Sequence, residues 1–187
     1  MLALFPFFGI FTQIACKSIS REGADFISMR QIPLTARSFI KAKRNLSLLV
    51  MGISTVVFPA LIFAVMLICG KLHWLGCLFG FLICIPNTAV LVNFGIFFDL
   101  KEPDIHWVSE KYLTKSSRLY GVFLLLYFIF NIALCVCIAV LSGYFNGIAS
   151  IAGTGVLLFA VESALAFISS KLMFSYGIKV IKSLTEL

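Results

Sequence analysis

The chain has 187 residues, 61% of them hydrophobic and only 12% charged, and its mean hydropathy is +1.07. A soluble domain of this size cannot hide that much apolar surface, so the composition excludes an ordinary soluble enzyme and points to a membrane protein. The net charge of +7 raises nucleic acid as a partner, but the basic residues lie in loops between apolar runs, which is the positive-inside pattern and argues against a nucleic-acid surface.

In chain order, 1–16 is apolar but short. Sixteen helical residues reach about 24 Å, less than the roughly 30 Å of a bilayer core. The segment lacks a basic start and an A-x-A-like cleavage site, so it is a poor signal peptide. It reads as the back end of a truncated transmembrane helix, which makes the chain a C-terminal half or fragment of a longer protein.

The polar stretch 17–44 holds seven of the fifteen Lys and Arg residues. In a membrane protein such a loop stays cytoplasmic and fixes the orientation of the rest. Gly23 and Pro33 bracket a run with Phe26, Met29 and Ile32 at three-residue spacing, which predicts a brief amphipathic helix lying on the membrane surface. Pro33 ends it, because proline disfavours a helical conformation in the residue before it. Thr35 is the expected N-cap of a long helix entering the bilayer. A solvated basic linker is the plainer reading of the same residues.

Spans are predicted at 46–69, with a kink at Pro59, and at 72–98, with Trp74 at the interface and Pro86, Asn87 and Asn93 inside. A second polar stretch, 99–118, precedes a span at 119–141 containing Asn131. An uncharged turn at 142–147 leads to a span at 148–170 containing Glu162, followed by a basic tail, 171–187. With the N-terminus outside, the three cytoplasmic segments carry 14 Lys and Arg residues against Lys71 alone outside. The expected fold is therefore all-α: a polytopic bundle of about five membrane helices plus a short cytoplasmic surface helix.

Catalytic and nucleotide motifs are missing from the sequence. There is no G-x-x-x-x-G-K-[ST], H-E-x-x-H or G-x-S-x-G, and His73 and His106 fall on opposite predicted sides of the membrane. Cys135 and Cys137 lie on different helix faces, so the cysteines show no metal spacing and read as small packing residues. No cofactor or metal is expected.

SREGADFISMRQIPLTARSFIKAK, followed after two spans by NFGIFFDLKEPDIHW, resembles the permeases of ABC-2-type exporters in bacteria. The matching residues are Ser20, Glu22, Gly23, Phe26, Pro33, Ala42, Lys43, Asp99, Pro103 and Trp107. The resemblance covers 18–118, and the last two helices share only topology. It implies a membrane-spanning subunit of the bacterial plasma membrane that works with a separate ABC ATPase, which alone binds ATP. It also implies a second permease copy or an N-terminal half as partner. The coupling contact with the ATPase would be made by Arg21, Glu22, Gly23, Phe26, Arg30 and Pro33. A transport subunit of this kind needs no catalytic group, so the chain is not expected to be an enzyme.

Glu162 lies near the middle of the last span. An ionised carboxylate at that depth costs at least a few kcal/mol unless water or a partner receives it. It shares a helix face with Thr154, Gly155, Ala166 and Ser169, a small and polar stripe suited to a protein contact. It is expected to face the bundle interior near Asn131, either protonated and hydrogen-bonded or open to a wet cavity. Two other classes of function stay open. One is a membrane-embedded enzyme using Glu162, Asn131 or His106. The other is a secondary-transporter fragment, faintly suggested by Pro59 and Pro86 in adjacent spans.

Overall fold

The computed structural model describes residues 19–20, 35–68, 74–101, 118–144 and 148–186. The segment 1–16, the proposed surface helix between Gly23 and Pro33, and most of the stretch 99–118 lie outside the described residues. All described regular structure is helical: α1 (Ala36–Ile68), α2 (Trp74–Lys101), α3 (Arg118–Tyr144) and α4 (Ile148–Glu186).

Thr35 caps α1. Its Oγ1 accepts from the Ser38 amide at 3.3 Å, and its carbonyl accepts from the Phe39 amide at 3.1 Å. Such a cap satisfies amides that have no partner within the helix. The helix then runs straight through Arg37, Lys41, Lys43 and Arg44 into the apolar stretch. In the same way α4 does not stop at 170 but continues through Lys171, Lys179 and Lys182 to Glu186. Lysine and arginine are good helix formers, the stretch from Ala36 through Arg44 contains no glycine or proline, and α4 carries Gly177 within its helix. Pro86 lies inside α2, which continues past it.

The neighbours of each helix fix the topology. At one end Ile40 of α1, Leu100 of α2 and Gly177 of α4 meet; at the other, Gly155 of α4 lies against the Phe79 ring of α2. The helices therefore run up, down, up, down, and α2 and α4 are parallel. A Cβ on Gly177 would stand 2.6 Å from Ile40 Cδ1 and 2.9 Å from Leu100 Cδ1. Small residues let the backbones approach this closely.

Helix α2 is the centre. It packs most extensively on α4 and next on α1. From Val90 to Leu100 it is buried on nearly every face, as expected of a helix that is apolar all round. Helix α4 turns one stripe toward it, the buried Gly155, Leu158, Glu162, Ser169, Met173, Gly177 and Ile181, at three- and four-residue spacing. Helix α3 has the thinnest attachment. Part of it is a pair of aromatic contacts in which Phe94 and Phe98 of α2 meet Phe123 at 4.4 Å and 5.6 Å.

The outside of this bundle is apolar. Leu49, Ile53 and Leu61 of α1, Leu125 and Leu126 of α3, and Phe167 and Ile168 of α4 are all exposed. Among the described residues two segments are long and apolar enough to cross a membrane, Leu78–Lys101 and Ala152–Ser183, and Leu119–Leu134 is a shorter apolar stretch. This favours a membrane setting.

Candidate functional site

Each of two buried carboxyls joins several elements of the bundle. Asp99 sits near the C-terminus of α2 and is 1% exposed. Its Oδ2 accepts from the Ile19 amide at 2.6 Å and from the Ser20 amide at 3.1 Å, and its Oδ1 accepts from the Ser20 hydroxyl. Every one of these partners is a donor, the environment an ionised carboxylate needs. Lys43 on α1 feels the same charge. Partial burial lowers the Lys43 ammonium below its ordinary pKa, and the Asp99 charge acts in the opposite direction. Asp99 thus ties the beginning of the basic stretch to α2, beside the cationic start of α1.

The second carboxyl, Glu162, lies about 22 Å further along α4 from the Gly177 contact and is 1% exposed. The Tyr127 hydroxyl of α3 stands 2.7 Å from its Oε2 and 2.6 Å from Asn87 Oδ1 of α2. Three helices therefore meet at one phenolic oxygen. Glu162 Oε1 is buried without a hydrogen-bond partner.

Other polar groups on α2 make similar links. Asn93 Nδ2 donates to Ser169 Oγ at 3.0 Å and to the Ala166 carbonyl at 3.3 Å. The Thr88 and Thr55 hydroxyls meet at 2.8 Å between α2 and α1.

Among the residues singled out from the sequence, Glu162 faces the interior of the bundle. Asn131 is buried too, but its Nδ2 donates to the Tyr127 carbonyl at 2.9 Å. The hydrogen-bonding neighbour of Glu162 is Tyr127, one turn away from Asn131 on the same helix. Arg21, Glu22, Gly23, Phe26, Arg30 and Pro33 all lie outside the described residues, as do Pro103, His106 and Trp107. Tyr127 had a usable signal: it is the one polar side chain in the run LLLYFIF and stands four residues before Asn131. Among the described residues no three His, Cys, Asp or Glu side chains gather as a metal site would require. No protein-family model, curated protein or solved structure matches the chain.

Proposed function

We propose that the chain is part of the membrane-spanning permease of an ABC-type exporter in a bacterial plasma membrane. Its polar segment 21–34 receives the push of a separate ATPase subunit. About five helices cross the bilayer, and a second permease copy or an N-terminal half completes the pathway. The observation that carries this reading is the Asp99 clamp. It fastens the start of the polar segment to the end of α2 beside the start of α1, so a displacement of that segment is passed to two helices at once. The charge distribution supports the orientation. Every described Lys and Arg lies at or toward the end where Asp99 sits, on Arg37 to Arg44, Lys101, Arg118 and Lys171 to Lys182. The apolar outer surface, with polar side chains hydrogen-bonded between helices inside, is the arrangement a bilayer stabilises.

Two experiments test the reading. In a cysteine-free background, Ser38→Cys is protected from an impermeant thiol reagent in intact cells, whereas Asn146→Cys reacts. Arg30→Glu lowers ATP-driven export and leaves membrane insertion unchanged. Labelling of position 38 from outside, or unaltered export with the charge reversed, contradicts the proposal. A second reading, a proton-coupled secondary transporter, is favoured by the carboxyl shared among three helices at membrane depth. Transport that follows an imposed proton gradient without ATP distinguishes it.

A further inference from the structure

The Tyr127 oxygen carries one proton and faces two oxygen atoms, Asn87 Oδ1 at 2.6 Å and Glu162 Oε2 at 2.7 Å. An amide oxygen only accepts, and an ionised carboxylate only accepts. With both as acceptors, one short contact has no proton in it. The set closes when Glu162 supplies the missing proton: Glu162 Oε2–H donates to Tyr127, and Tyr127 O–H donates to Asn87. Turning the Asn87 amide over gives the other formal solution, in which Nδ2 donates to Tyr127 and Tyr127 donates to a carboxylate. That arrangement leaves a full negative charge in a 1% exposed group whose Oε1 has no hydrogen-bond partner, which is far more costly than leaving a neutral carbonyl oxygen unpaired.

We propose that Glu162 is a proton-binding site, and that its bound proton, donated through Tyr127 to Asn87, fastens α3 to the α2–α4 pair. The groups around it supply no competing charge. Helix α3 presents Tyr127, and α2 presents Asn87 with the thiol of Cys84 one turn away. Helix α1 has its charges at Arg37, Lys41, Lys43 and Arg44, and Arg44 lies over the Phe174 ring, about 18 Å along α4 from Glu162. Lys171, the closest charged residue on α4 itself, is exposed and sits over Phe167 at 4.6 Å. The thin packing of α3 explains why one proton matters. Apart from this network, the described residues of α3 are held by aromatic contacts of Phe123 with Phe94 and Phe98 on the Asp99 side of Tyr127 and by Leu134 packed with Ile83 and Leu158 on the other. Ionised Glu162 would leave the single Tyr127 proton between two acceptors in a low dielectric, and parting from α3 would open the carboxylate to water. The packed bundle therefore holds a proton that the opened bundle releases at neutral pH, and the attachment of α3 weakens as pH rises.

The proposal stands whether or not the chain belongs to an ABC exporter, because it concerns a protonation state that can be observed without transport. The test is infrared spectroscopy of the full chain in lipid vesicles. At neutral pH the parent protein shows a protonated-carboxyl C=O band that is absent from Glu162→Gln and disappears at alkaline pH. Tyr127→Phe retains the band and shifts it to higher frequency, since the acid loses its hydrogen-bond acceptor; this variant serves even where the glutamine variant does not insert. Spin labels at the exposed positions 122 and 172 report the α3–α4 distance. It lengthens at alkaline pH in the parent and stays constant in Glu162→Gln. A missing Glu162-dependent band at neutral pH, or a band unmoved in Tyr127→Phe, overturns the proposal. So does an α3–α4 distance that responds to pH equally in both proteins.

Discussion

Asp99 and Glu162 are both carboxyls at 1% exposure on the central helix pair, yet their surroundings are opposite. Asp99 meets two amides and a hydroxyl, all donors, with Lys43 nearby. Glu162 meets one hydroxyl that already has an acceptor on its other side, and half of its carboxyl is unpartnered. Burial alone therefore does not decide a carboxyl's protonation state; the supply of donors does. The first is a charged clamp at the polar end of the bundle. The second is a neutral acid in the apolar middle.

The largest effect expected from breaking this contrast is at Asp99. Asp99→Ala removes the carboxylate that accepts from three buried donors, and an unsatisfied buried group costs about 1–3 kcal/mol. We expect a loss of about 3 kcal/mol in equilibrium unfolding in detergent, together with faster proteolysis within 17–34 as the segment is released from α2. Unchanged proteolysis would mean that the clamp does not hold the segment.

A smaller effect is expected at the other carboxyl. Tyr127→Phe removes one hydroxyl from a network between helices, where hydrogen bonds contribute about 0.6–1.5 kcal/mol. The expected loss is about 1 kcal/mol, with hydrogen exchange accelerated in α3 and little changed in α2. Uniform acceleration over all four helices would show that Tyr127 serves the whole core and not the attachment of α3.

How far the sequence reveals these features follows from what hydropathy measures. It marks which residues prefer a nonpolar solvent, so the apolar stretches and the helical class are readable from it. It is blind to where a helix ends when the next residues are good helix formers, as at Arg37–Arg44 and Lys171–Glu186. Thr35 was readable as a cap because capping is local, decided by its own hydroxyl and the amide three residues on. Glu162 stood out because a carboxyl in an apolar run is rare. Its partners did not, because Asn87 and Tyr127 lie 75 and 35 residues away, and only helix packing decides which turns face one another. Asp99 lay at the end of an apolar run, where an acid ordinarily faces water. Its burial depends on residues 19 and 20, and nothing local announces that contact.

The central claim is that the two acids hold different charges, and replacing each by its amide tests this most directly. Asparagine at 99 turns an NH2 group toward donors that need an acceptor, whereas glutamine at 162 donates to the Tyr127 oxygen as the neutral acid does. Measured side by side in the same unfolding assay at neutral pH, Asp99→Asn is expected to lose about 2 kcal/mol and Glu162→Gln no more than about 0.5 kcal/mol. Equal losses, or a greater loss at Glu162, would contradict the assignment of a charged clamp at one end of α2 and a neutral acid at the middle of α4.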